Sequence, residues 1–178
     1  MYIEKALDIT FGHEGVWSNH PLDPGKETIF GVSRRWQPTL DLWKYVDKWD
    51  KRGNPPQEIL DSVISFYRGK IWEPFKVEEI AKICPELAYA FFDTTVHLWV
   101  DQSIPFLQQT INYLRKGELE PIDVDGWIGN ETLRALRLLK SKQKLLVNIF
   151  GIIRGSWYLD ERRWNGKQDG FINRITFL

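Results

Sequence analysis

A chain of 178 residues with 24 basic and 24 acidic side chains has no formal net charge, so it lacks the basic footprint of a protein that grips nucleic acid by its phosphates. Its 43% hydrophobic and 27% charged composition is that of a globular protein, with length for one domain or two small subdomains sharing a core. The single cysteine, Cys84, excludes an internal disulfide framework and any paired-thiol metal site.

The chain opens with MYIEKALDITFGHEG, which has no basic segment followed by an apolar one and reads as mature protein. Ile3, Ala6, Leu7 and Phe11 recur at helical spacing, and Gly12 and Gly15 mark the end of that helix. Glu14 follows Phe11 by three and is expected at the last turn, on the inward side. The segment after it, VWSNHPLDPGKETIFGVS, is too punctuated by Pro and Gly for a helix and has room for turns or a small hairpin. Leu40, Trp43, Val46 and Trp49 predict a second helix, ended by Gly53. In NPPQ, Asn54 is expected to cap the next helix, with Pro55 at its first position and Gln57 at the capping-box return.

A further helix is expected from Pro85 through LAYAFFDTTVHLW, and another on Ile104, Leu107, Ile111 and Leu114, closed by Gly117. After a loop containing PIDVDGWIG, residues 132–164 read as mostly helical, with a break expected near Gly151 or Gly155. The most apolar run, LLVNIFGII, is interrupted by Asn148 and Gly151 and is far shorter than the ~18 residues of a membrane span. The expected fold is mainly α, a helical bundle with a short loop or small β-hairpin lining a cleft.

Glu14 is the carboxylate best placed for chemistry. The negative end of a helix dipole and burial beside Phe11 and Trp17 would both raise its pKa, the condition for a carboxylic acid that still donates a proton near neutral pH. Glycoside hydrolysis needs such an acid and usually a second carboxylate, for which Asp23 in the adjacent loop is the candidate. The Thr28 hydroxyl could hold a water or orient a carboxylate. Nine tryptophans fit a sugar substrate, because the indole face stacks on sugar rings as well as filling cores. Other chemistries fail on spacing. HExxH is broken by Trp17, and the calcium-loop pattern at DVDG is broken by Trp127 and Arg134, so neither a metal nor another cofactor is expected.

The segment HEGVWSNHPLDPGKETIFGVS resembles the signature of the glycoside hydrolase family 108 lysozymes, E-G-G-x-x-N-x-P-x-D-x-G-G-x-T-x-x-G-I. The matching positions are Glu14, Gly15, Asn19, Pro21, Asp23, Gly25, Thr28 and Gly31. FYRGKIW and FDTTV are similar to later family stretches, and FLQQTIN, DGWIGNETLRAL and FINRI look like the family's C-terminal peptidoglycan-binding domain. The resemblance implies a lysozyme-like helical fold and N-acetylmuramidase activity on cell-wall peptidoglycan, with Glu14 as the essential acid and no cofactor. It implies a catalytic domain over 1–97 and a binding-like helical domain over 98–178, packed on the first because no linker separates them.

Three departures bear on the cleft: Val16 and Lys26 replace glycines, and VHLW at 96–99 stands where the family tends to have V-N-x-G. Trp17, Asn19, His97 and Trp99 are therefore expected to line substrate subsites. Without a signal peptide, the chain is expected to be made in the cytoplasm and carried to the wall by another system, such as a holin or an export apparatus. A non-catalytic peptidoglycan-binding module, or an interaction protein of a phage or secretion apparatus, is the alternative if the departures close the cleft.

Overall fold

The structure, a computed structural model, describes residues 2–12, 16–20, 25–117 and 119–160. It divides into two compact units, which meet in sequence between Pro74 and Phe75. Among the described residues, no helix is long and apolar enough to cross a membrane.

The first unit begins with α1, Tyr2–Phe11, whose Ile3, Ala6 and Leu7 are buried as the helical period predicts. Gly12 closes the helix by donating its backbone N–H to Asp8 O at 3.0 Å. A three-stranded antiparallel sheet follows, built of β1, Trp17–Asn19, β2, Glu27–Ile29, and β3, Val32–Ser33. The small hairpin allowed by the sequence is thus present, with a third strand added. Phe30 and Gly31 join β2 to β3 with φ of 46° and 74°. A two-residue hairpin with both central residues at positive φ twists as the strands do, which is why glycine suits position 31. Phe30 has no such freedom. It is held by Tyr67, whose hydroxyl donates to Phe30 O at 2.8 Å, and by Phe11, whose ring centroid lies 4.9 Å from its own.

The predicted second helix is shorter than its apolar spacing suggests: α2 covers Leu42–Val46, and Trp49 lies beyond it, its indole N–H donated to Arg52 O at 3.2 Å. The third helix, α3, is Gln57–Tyr67, and its N-cap is Pro56 rather than Asn54. The reason is the doubled proline. A residue preceding proline is pushed away from helical ψ, so Pro55 cannot start the helix and Pro56 becomes its extended flank at ψ 152°. Beyond Tyr67 the helix widens into a π turn over Arg68–Trp72, where Glu73 N reaches back five residues to Arg68 O at 3.0 Å.

The second unit contains α4, Val77–Ala81, α5, Pro85–Leu98, α6, Val100–Arg115, α7, Asn130–Leu138, and α8, Gln143–Leu159. α5 packs against α4, α6 and α8. It starts as expected, with Pro85 in its first turn, and buries Leu87, Phe91 and Phe92. Each fully buried ring of this kind contributes on the order of 2–3 kcal/mol. Asp93 is buried as well and accepts from Arg154 of α8 at 2.6 Å, with side-chain exposures of 5% and 2%. The break in the last helical stretch falls at Leu139, followed by a 3-10 turn over Lys140–Lys142, not at Gly151 or Gly155. Both glycines are buried inside α8, where their small size matters more than their conformational freedom. Leu133, Leu136 and Leu139 form a buried stripe, as their spacing predicts. Residues 161–164 lie outside the described residues.

The loop before α7 is tied to α6 by two amide side chains one turn apart. Asn112 exchanges two hydrogen bonds with the backbone of Ile122, at 2.7 and 2.8 Å. Gln108 donates to Asp125 Oδ1 at 2.7 Å and to Trp127 O at 3.1 Å, and accepts from Gly126 N at 3.0 Å. Asp125 therefore serves as a loop fastener, and these bonds hold its carboxyl below the usual carboxylate range. Residues 98–102, where the sequence suggests a boundary between halves, lie inside this unit at the junction of α5 and α6.

Candidate active site

Glu14 and Asp23, the two carboxylates expected to do the chemistry, lie outside the described residues, as do Gly15 and Pro21 of the signature. The described elements that bracket them are the end of α1 and the small sheet. α1 stops at Phe11, so the chain leaves the helix three residues before Glu14.

The sheet sorts the remaining signature residues onto two faces, because directly paired residues of antiparallel strands share a face and neighbours along a strand do not. Trp17 pairs with Ile29 and Asn19 with Glu27, which places Trp17, Asn19 and Glu27 together. Ser18 pairs with Thr28 and Thr28 with Ser33, so Thr28 belongs to the opposite, hydroxyl-bearing face. Trp17 and Asn19, expected to line subsites, thus share one face, and Thr28, expected to hold a water or orient a carboxylate, belongs to the other. Thr28 Oγ1 donates to Lys26 O at 3.3 Å, and the neighbouring Ser33 hydroxyl donates to Gly25 O at 2.7 Å.

On the other face a polar chain runs through Glu27, a residue that sequence reasoning missed. Its Oε1 accepts the Trp17 indole N–H at 3.1 Å, and its Oε2 meets Arg34 Nη1 at 2.9 Å. Arg34 continues to Asp47 Oδ1 at 2.6 Å and lies 4.7 Å above the Trp43 ring. Trp17 is half-buried with its N–H engaged, so it can offer a sugar only ring face. Asn19, Lys26, Glu27, Arg34 and Arg35 line a groove of about 540 Å³ on this side. The sequence signal that could have revealed it is the E-T-I alternation after a glycine turn, with arginines placed to meet it across the hairpin.

His97 and Trp99 belong to the second unit. His97 sits in the last turn of α5 and is half-buried. Trp99 joins α5 to α6 with φ 64° and ψ 176°, and its side chain is 49% exposed. Lys26 likewise has φ 54°. At two of the positions where the sequence departs from the glycines of the resembled family, the backbone thus adopts a conformation that glycine holds at no cost.

A mainly α chain with a small antiparallel sheet beside a polar, tryptophan-bearing loop is the architecture expected of a lysozyme-like glycoside hydrolase. The glycosyl hydrolase 108 family profile matches residues 7–98, and the chain belongs to that family. It is accordingly a glycoside hydrolase of lysozyme type, with peptidoglycan as its substrate class. Among solved structures it is similar to SagA of Brucella abortus, with a TM-score of 0.66 and 21% identity over 97% of this chain and 88% of that one. That likeness is one of fold. No curated protein matches the chain in sequence.

Proposed function

We propose that the protein is an N-acetylmuramidase that cleaves the β-1,4 bond between N-acetylmuramic acid and N-acetylglucosamine. The observation that carries the reading is the family match over residues 7–98, which contains the whole glutamate-to-glycine signature. In this reading Glu14 protonates the glycosidic oxygen as the bond breaks through an oxocarbenium-like transition state. Asp23 stabilises that state or positions the attacking water, and Thr28 orients one of the two. Trp17, Asn19, His97 and Trp99 contact the glycan.

The two sequence halves, 1–97 and 98–178, share a core in this proposal, supported by the packing of α5 on α6 and α8. Action at the cell wall follows from the substrate, with delivery by a holin or an export system.

The decisive experiment is Glu14→Gln, nearly isosteric but without a proton to give. General acid catalysis is typically worth ~10²–10⁴-fold, so release of reducing ends from purified walls should fall at least that far while the melting curve is kept. Mass spectrometry of the wild-type digest should show N-acetylmuramic acid at the new reducing ends. Normal turnover by a folded Glu14→Gln protein, or N-acetylglucosamine at those ends, would overturn the assignment.

A further inference from the structure

A groove of about 680 Å³ runs between α2 and α3 in the first unit, within the ~300–1,000 Å³ of sites that hold small molecules. One wall is a stripe of α3, where Glu58, Ser62 and Ser65 follow at helical steps of four and three, and Gly69 of the π turn continues it. The apolar part of the lining comes from Leu42, which is buried, Phe66, which is half-buried, and Tyr45, which is exposed.

Four charged side chains line this groove: Asp41, Glu58, Asp61 and Lys70. Asp41 is already engaged, its Oδ1 meeting Lys44 Nζ at 2.5 Å. Asp61 accepts from the Gln57 amide at 2.9 Å, a contact that brings no opposite charge. Among the described residues the Glu58 carboxylate and the Lys70 ammonium make neither a hydrogen bond nor an ion pair. The groove therefore offers carboxylates at the start of α3 and a cation beyond its end. The π turn that carries the cation is a second observation, because such widened turns recur at functional sites. Gly69 within it has no atom within 4 Å of an added Cβ, so the groove stays open beside Lys70.

Spacing and charge together define the occupant. From Asp61 or Glu58 to Lys70 the helix advances about 13–18 Å at ~1.5 Å per residue. That is the reach of about four or five extended residues at ~3.3–3.6 Å each. We infer that this groove is a subsite for a short zwitterionic peptide, which in the substrate class of this hydrolase is the stem peptide of the wall. The inference rests on peptidoglycan as the substrate, and not on which glycosidic bond is cut. A stem peptide contains a diamino acid and ends in a carboxylate, so an uncrosslinked stem carries both charges on one short chain. Its ammonium faces Glu58 and Asp61, its terminal carboxylate faces Lys70, and the alkyl chain of the diamino acid lies on Phe66 and Tyr45. The acetylated glycan has no cation to offer. Crosslinking consumes the amine, and the subsite thus favours wall that is not yet crosslinked.

The test follows the Gly69 amide resonance of the full chain during titration with four probes. They are N-acetyl-L-alanyl-γ-D-glutamyl-L-lysyl-D-alanine, the same peptide acetylated on its side-chain amine, the same peptide as its C-terminal amide, and di-N-acetylchitobiose. Acetylating the amine should weaken wild-type binding about fivefold, the upper range for one exposed ion pair, and cost nothing further in Glu58→Gln/Asp61→Asn. Amidation should weaken wild type about as much and have no added effect in Lys70→Gln. Losses that add in full, a Gly69 resonance that the free peptide leaves in place, or a Gly69 shift produced equally by chitobiose would overturn the inference. Release of reducing ends from walls is scored on the same samples. No release while the peptide binds counts against the muramidase reading alone, and release without a peptide response counts against the subsite alone.

Discussion

Trp99 combines φ 64° with ψ 176°, a region of backbone space that is almost confined to glycine and costs other residues ~1–3 kcal/mol. Phe30, also at positive φ, is compensated by the Tyr67 hydrogen bond and the Phe11 ring. Trp99 is instead half-exposed at the junction of two helices. Trp99→Gly should therefore stabilise the chain by ~1 kcal/mol once the greater freedom of glycine when unfolded is subtracted, raising Tm by ~2–4 °C. If the indole contacts glycan, the same variant clears wall suspensions more slowly. Calorimetry paired with a turbidity assay checks both directions, and a lower Tm would show that the Trp99 conformation is not strained. The departures at Lys26 and Trp99 were legible in the sequence. The Glu27–Arg34 pair was less so: the E-T-I alternation and the following arginines mark a hairpin, but two residues seven apart meet only once its register is fixed.

Among the elements, the π turn over Arg68–Trp72 carries Gly69 on its exposed side, with no atom within 4 Å of an added Cβ and an ordinary backbone angle. Gly69→Ala should add ~0.4–1 kcal/mol by narrowing the unfolded ensemble, read as a shifted denaturant midpoint at constant m. The loop fastened by Asp125 makes a pH prediction. Because the folded-state pKa of Asp125 is lowered, chiefly by the Gln108 bond and then by Trp127 N–H, its contribution is present above the unfolded pKa and is lost as pH falls through the folded value. The Trp127 amide resonance should titrate with a midpoint below the ordinary aspartate value, and Gln108→Leu should move that midpoint upward. An unshifted midpoint in the variant would remove Gln108 as the cause. Long amphipathic elements such as α5 and α6 were readable from their apolar period. α4 was not, since five residues contain barely one turn, and the break at Leu139 was hidden because a lysine-rich 3-10 turn looks like helix surface.

At the scale of the molecule, the family match and the compact units are out of step. The match runs to residue 98, yet its last quarter, α4 and α5, is built into the unit that continues to the end of the described chain. The buried pair between Asp93 and Arg154 is the clearest bond across that seam. Arg154→Met, which removes the guanidinium from the buried Asp93 carboxylate, should cost ~3–5 kcal/mol, whereas pairing it with Asp93→Leu should recover much of the loss. Chemical denaturation of the three proteins tests this; a near-neutral single variant would deny the pair its structural role. Truncation after Val96 should give an insoluble or molten fragment, since it removes α6 and α8, two of the helices packed on α5. A soluble, cooperatively melting 1–96 lysozyme would show that the halves fold separately.

The Asp93–Arg154 pair also imposes an order on synthesis. The two residues are 61 apart, so at ~5–20 residues per second α5 leaves the ribosome roughly 3–12 s before the guanidinium that neutralises it. During that interval the signature loop and the small sheet are already complete in sequence, while the helix that ends the family segment waits for its buried guanidinium partner. The second unit thus stays unfinished until α8 has been made, and a chain released early carries the signature but lacks the ion pair that joins α5 to α8 within that unit.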